Sequence, residues 1–433
     1  MKTFWLAVAA LLWSAVSSFA QPTVNDPNLT ITEVVSGLNI PTTMAFIGAN
    51  DFLILEKETG MVRRVTNGVL QSAPVLDVNV DTAGIIFGDE QGLLGIAIHP
   101  DFPAKPWVYL YFTESSSLTN DTPGDSALGN NVYRYEWDAV NRILTNPTLI
   151  LNLMARANFA IGGVMTFGPD KKLYVVTGNQ GSTLSQLQNN LDPDVVDVPI
   201  DDLSSTSVIF RLNDDGTTPS DNPFVSLGAP WDRYFAYGIA NSFGLAFDPA
   251  SGKLWDTETD DVNFAYDEIN VVAPGFNSGW LPIMGPLSRS SQSPADLFPI
   301  GGSVHYADPA FSWLNPVIPT AIAFLNSTAL GSLYFNNAFV GDNAVGNLYR
   351  FPLNSQRNGF VLSPLLADLV ADDDTELSSV LLGTGFTDIR DLKVGPDGKL
   401  YVVSLYDGKV YAIAATPPSG PLAIGATTLA AAE

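Results

Sequence analysis

The sequence predicts an all-β protein, a six-bladed β-propeller of four-stranded antiparallel blades. Three observations carry that expectation. Helical periodicity is scarce, while short β-branched and aromatic runs bounded by Gly, Pro, Asp and Asn recur from end to end. One turn–strand unit repeats six times, and radial repetition is how a propeller hides its sheet edges. A spare strand precedes the first unit and is placed to close the ring.

The units begin, in order, AFIGANDFLILEKETG at Ala45, IHPDFPAKPWVYLYFTE at Ile98, FGPDKKLYVVTGNQG at Phe167, AFDPASGKLWDTET at Ala246, SLYFNNAFVGDNAVGNLYRF at Ser332 and VGPDGKLYVVSLYDGKVYAI at Val394. In each, Pro, Asp and Gly reverse the chain and the apolar strand beside the turn packs on the neighbouring unit. The spare strand is LTITEVVSGL, residues 29–38; pairing it with the last unit covers two edges at once. Long polar inserts at 115–131, 182–207 and 281–304 read as loops over one face. A pair of β-sandwich domains is the competing architecture, and the lack of any linker-like stretch between residues 22 and 413 counts against it.

At the N-terminus, one Lys, an apolar run from Phe4 to Trp13 and the exit Ser18-Phe19-Ala20 form a secretory signal peptide over residues 1–20. A secreted, extracellular protein is expected, periplasmic if the source is Gram-negative. Residues 21–413 then make one propeller domain and 414–433 a low-complexity tail. Sequons at Asn28, Asn120 and Asn326 are glycan acceptors in a eukaryotic source. No later run is apolar enough to span a membrane.

The chain has 433 residues, with 20 Lys and Arg against 45 Asp and Glu, a net charge of −25. So acidic a surface repels phosphate, which excludes nucleic acid and anionic membranes as partners. Without Cys there is no disulfide framework, thiolate zinc site or cysteine nucleophile, and only His99 and His305 offer imidazoles. Both His read as structural or inert. Acidic runs at 192–202, 256–261 and 372–376 read mostly as solvated loops, with the oxygen chemistry that suits a hard cation such as Ca²⁺.

Several longer motifs, EQGLLGIAIHPDF, IGGVMTFGPDKKLYVV, AYGIANSFGLAFDPASGKLWDTE, DEINVVAPGFNSGW and DIRDLKVGPDGKLYVV, fall in an order that resembles the soluble quinoprotein glucose/sorbosone dehydrogenases. The resemblance covers residues 37–413. It implies a six-bladed propeller that uses pyrroloquinoline quinone and Ca²⁺ to take hydride from a sugar hemiacetal.

It also implies site residues. The family's catalytic His precedes the Phe-Gly-Pro-Asp turn, where this sequence reads Ala160-Ile161-Gly162-Gly163; its Arg beside the quinone carbonyl falls at Ala240. The segment that gives backbone oxygens to the catalytic Ca²⁺ falls at Glu258-Thr259-Asp260-Asp261, without Gly-Pro. A Lys facing the quinone carboxylates in some members falls near Asn343. Positions that agree, and so are candidate cofactor contacts, are Glu90, Gly162, Gly163, Asn241, Arg390 and Asp391. The retained Asp-Glu-x-Asn motif (Asp267, Glu268, Asn270), together with Glu258, makes Glu258, Asp267 and Glu268 the candidate Ca²⁺ ligands. Arg390 and Asp391 are equally readable as an ion pair holding a loop.

Losing a positioned base costs about 10²–10⁴-fold, and losing an electrostatic stabiliser about 10²–10³-fold. The first reading is therefore a secreted propeller that has lost dehydrogenase chemistry and binds a sugar, a glycan or an extracellular protein. An active aldose dehydrogenase with a rearranged site comes second, and an acidic Ca²⁺-binding extracellular scaffold third. Ca²⁺ is the expected ion, and the missing groups count against the quinone.

Overall fold

A computed structural model describes residues 21–82, 90–116, 127–181, 185–191, 205–259 and 266–417. Residues 1–20, expected as a signal peptide, Asn120, the whole 192–202 run, Asp260, Asp261 and the residues beyond 417 lie outside the described residues. The described chain folds into six sheets. Their innermost strands are Pro41–Gly48, Leu93–Ile98, Gly162–Phe167, Asn241–Phe247, Pro319–Leu325 and Ile389–Val394. Each packs beside the next, and the last returns to the first. The protein is an all-β propeller.

The hydrophobic core lies between sheets rather than at the centre. Six clusters each fill the wedge between one pair of neighbours. Alternation along the strands makes this possible, because successive side chains face opposite sides. Leu173 and Val175 enter the wedge toward the second sheet, while Tyr174 and Val176 enter the wedge toward the fourth. Leu400 and Val402 face the fifth sheet, Tyr401 and Val403 the first. Strands buried on both faces read as the unbroken runs LYVVT and LYVVS.

The two clearest sequence copies also share their turn chemistry. Gly168 N–H donates to Lys172 O, and Asp170 accepts from Lys172 N and from the Tyr174 hydroxyl at 3.0 Å. In the last sheet Gly395 donates to Lys399 O, and Asp397 accepts from Lys399 N and from the Tyr401 hydroxyl at 3.1 Å.

Three features correct the expectation of uniform blades. Five sheets draw their four core strands from one stretch of chain each, whereas the sixth is composite: Leu29–Val35 pairs antiparallel with Lys409–Ala415 from the other end. Counted on continuous chain the ring has five blades, not six, and a sheet shared by both chain ends fills the remaining place. The sheets are not all four-stranded, since the largest has six strands. Nor are they wholly antiparallel: Tyr237 pairs with Asn277, Phe276 with His305 and Ser312 with Val370 in parallel register. The chain that leaves the fourth sheet at Val272 runs back along the third before returning, so it adds strands that no repeat announces. Thr23–Val24 also joins the fifth sheet, beside Leu381–Thr384, which gives the N-terminal segment two attachments.

The acidic run at 256–261 is corrected as well. Its described part is buried strand, Leu254–Thr259, not solvated loop. No described helix is long and apolar enough to cross a membrane.

Candidate functional site

The starts of the inner strands converge on the axis. A cavity of about 30 Å³ there is lined by residues of five sheets, among them Thr43, Gly162, Phe243, Arg390 and Asp391. It holds about two water molecules.

Ala160, two residues before the cavity-lining Gly162, has a left-handed backbone, φ 52°, and is 1% exposed. Its carbonyl accepts from Gln180 N at 2.9 Å, and its methyl brings no polar group. Gly162 and Gly163 follow for reasons of packing. A Cβ on Gly163, φ 99°, would press on Leu94 and the Tyr111 ring at 3.0–3.1 Å, so only glycine lets the second and third inner strands approach this closely. Glu90 ties three sheets together: its Oε2 accepts from Ile161 N at 2.8 Å and its Oε1 from Asn241 Nδ2 at 3.1 Å. Two residues flagged from sequence, Glu90 and Asn241, thus meet directly, 151 positions apart.

Ala240 is sealed. It is 0% exposed and packed against Trp280 and Met284. Its N–H donates to Glu258 Oε2 at 2.9 Å. Beyond it lies a buried group of acids. Antiparallel register sets Glu258 directly opposite Glu268 and Asp256 opposite Asn270. Glu258 accepts from Ser278 Oγ and, at 3.0 Å, from Asn270 Nδ2. Glu268 accepts from Gly285 N at 2.5 Å and from Asn270 Nδ2 at 3.2 Å. Burial pushes Glu258 up to about 7. Burial, then the neighbouring Glu258 charge, pushes Glu268 up to about 8. Asp256 is raised too, by burial and by both glutamates.

The three expected Ca²⁺ ligands do not gather between blades. Glu258 and Glu268 meet within one sheet, while Asp267 Oδ2 accepts from Val317 N and Ile318 N, both at 2.7 Å. The third member of the group is Asp256, which the metal reading passed over. Its spacing from Glu258, two residues along a strand, was the available signal. Among the described residues no three acids or histidines are arranged to hold a metal ion.

Arg390 and Asp391 do not pair with each other. The Arg390 guanidinium lies over the Phe243 ring, 4.3 Å from its centre. Asp391 closes the ring instead, accepting from Thr43 Oγ1 at 2.7 Å and Met44 N at 3.1 Å while pairing with Lys393. The histidines lie elsewhere. His99 is buried against Trp107 and Phe167, and His305 belongs to a short strand added to the third sheet.

The family model for glucose/sorbosone dehydrogenase matches residues 38–412. The chain is 30% identical over 263 residues to quinoprotein glucose dehydrogenase B of Acinetobacter calcoaceticus, covering 58% of this chain and 52% of that one. It is 30% identical over 232 residues to the Hedgehog-interacting protein of Homo sapiens, covering 50% of this chain and 31% of the relative. It therefore spans about half the length of the first relative and about a third of the second. Among solved structures, the PQQ-bound aldose sugar dehydrogenase of Streptomyces coelicolor shares the fold, with TM-score 0.62 and 23% identity over 91% of this chain and 99% of that one.

Proposed function

The chain belongs to the glucose/sorbosone dehydrogenase family, and we propose that this member binds a ligand at its axial mouth without oxidising it. One observation carries the reading: both positions that the resemblance assigns to catalysis are buried alanines, Ala160 and Ala240. A methyl group takes no proton from a departing hydroxyl and stabilises no charge on a quinone oxygen. Glu90, bonded to Ile161 N, offers no replacement, because both its oxygens already accept hydrogen bonds. Among the described residues the active-dehydrogenase reading therefore lacks a group placed to act as base.

The described residues do not fit pyrroloquinoline quinone. The cation that the resemblance sets beside the quinone carbonyl is replaced by the sealed methyl of Ala240, the one facing the quinone carboxylates falls near the neutral amide of Asn343, and the Arg390 guanidinium lies over the Phe243 ring. Nor do they fit a catalytic Ca²⁺, since the buried glutamates are already bonded to N–H and O–H donors. No step is derived through either group.

The protein is exported after Ala20 and binds carbohydrate or another extracellular protein; a relative named for interacting with Hedgehog supports a binding role within this family. The test is dye reduction by the purified mature chain with several aldoses, pyrroloquinoline quinone and Ca²⁺. Turnover no higher than without protein is expected. Robust reduction with any simple sugar would overturn the reading.

A further inference from the structure

We propose that Asn67 is a site of spontaneous chemical modification, where the side-chain amide leaves as ammonia and aspartate or isoaspartate takes its place. The proposal does not depend on what the mouth binds.

The sequence holds two Asn-Gly pairs, Asn67-Gly68 and Asn358-Gly359. Such pairs are the most open to this reaction, because no side chain on the glycine obstructs its nitrogen as it approaches the asparagine Cγ. The structure separates the two.

Asn67-Gly68 is the whole loop of a two-residue hairpin, across which Thr66 pairs with Val69 and Val65 with Leu70. The loop residues lie at φ 53° and 75°, left-handed at both as a type I′ turn requires. Asn67, Gly68 and Val69 are all exposed. Among the described residues no hydrogen bond holds the Asn67 side chain or the Gly68 N–H. The nucleophile and the carbon it attacks are both unengaged, at a tip that opens locally at little cost.

Asn358 is held. Its Oδ1 accepts from Asn354 Nδ2 at 3.1 Å, and its N–H donates to Asn354 Oδ1 at 3.2 Å. Gly359 O accepts from Asn354 N at 2.9 Å, and the preceding Arg357 is anchored on Asp248 and Asn336. The Asn358 side chain must leave Asn354 before its carbon can meet the Gly359 nitrogen.

At Asn67 the reaction balances with water alone. The Gly68 nitrogen gives its proton to hydroxide and bonds to Cγ; the Cγ–Nδ2 bond breaks, and ammonia leaves with a proton from water. The cyclic imide then adds one water. Opening at Cγ leaves aspartate, and opening at the main-chain carbonyl leaves isoaspartate. Either way the chain gains one negative charge. Aspartate keeps the turn, since Asp shares the tolerance of Asn for the left-handed region. Isoaspartate adds a carbon to the main chain, so the two-residue loop and its adjoining pairs are lost. The damage falls beside the ring-closing strand, because a Cβ on Gly68 would stand 3.3 Å from Val34 O. It also falls away from the axial mouth: Asn67 N donates at 2.8 Å to Asn50 O, just past the far end of the inner strand Pro41–Gly48.

The test is to age the purified protein at pH 7 and pH 9, folded and in urea, and to map its peptides by mass spectrometry. The folded chain should gain about one dalton in the Asn67 peptide, which splits into two product peaks. Conversion should be faster at pH 9, and at least about tenfold faster than at Asn358, whose two hydrogen bonds must break first. In urea the two sites should convert alike. An Asn67 peptide unchanged at pH 9 would overturn the proposal. An equal rate at Asn358 in the folded chain, or a gap that persists in urea, would overturn the part the fold plays in choosing the site. Asn67→Asp should melt as wild type does and the isoaspartate fraction lower; identical melting of that fraction would overturn the loss of the hairpin.

Discussion

The two ends of the fourth sheet hold buried carboxylates that keep their charge to opposite degrees. At the close of the inner strand, Asp248 is 0% exposed and gripped by Arg357, whose Nε reaches Oδ2 at 2.5 Å and whose other nitrogen reaches Oδ1. Burial alone would raise this group, but Arg357 and Ser251 outweigh it and hold Asp248 below the usual carboxylate range. At the mouth end, Asp256, Glu258 and Glu268 are equally buried, and the donors bonded to the two glutamates are amides, a hydroxyl and peptide N–H groups. All three are raised. Burial sets the cost of a charge, and the partner decides whether the group keeps it.

Removing the cation is the strongest way to break this contrast. Arg357→Ala leaves Asp248 buried without its guanidinium, and the loss expected is about 3–5 kcal/mol. Urea denaturation at pH 7 measures it, and a loss under about 1 kcal/mol would mean that Ser251 and the turn amides suffice.

The mouth end has the opposite dependence on pH. Folded values of about 7 for Glu258 and about 8 for Glu268 lie above the unfolded value of about 4.3. The folded state then binds more protons than the unfolded chain across this window. Stability is greatest below it and is lost as pH rises, until pH passes about 8. Asp248 contributes with the other sign, present above about pH 4 and lost as pH falls further. Glu268→Gln should remove about one proton from the slope, about 1.4 kcal/mol per pH unit, and melt higher than wild type at pH 8. A flat wild-type melting profile between pH 6 and 8 would contradict this.

The smallest effect sharpens the comparison at a turn that occurs twice. Tyr174→Phe removes a hydroxyl that bonds both Asp170 and Arg211. Tyr401→Phe removes one that bonds Asp397. A loss of about 1 kcal/mol is expected for the first and less for the second, by urea midpoint. Equal losses would show that Arg211 adds nothing at the third sheet.

These turns were legible because their chemistry is local: the Asp of each Gly-Pro-Asp turn lies four residues before the Tyr it bonds. The link between Glu90 and Asn241 was legible only through resemblance, since nothing in spacing joins residues 151 apart. Asp256 was misread because a run of acids looks solvated until a strand turns alternate members inward. Met284, which with Trp280 seals Ala240, gave no signal, since it comes from the 281–304 stretch that read as an irregular loop.

The sequence by itself determined that the chain is built of repeated turn–strand units, where those turns fall, and that positions 160 and 240 carry no group able to move a proton or hold a charge. Those properties reside in side-chain chemistry and in contacts between near neighbours. Only the tertiary structure decided that both chain ends share a sheet, that the chain past Val272 pairs in parallel with the third sheet, and that Glu258 faces Glu268. It also decided which acids keep their charge, because that depends on partners brought from distant stretches into places where water cannot follow.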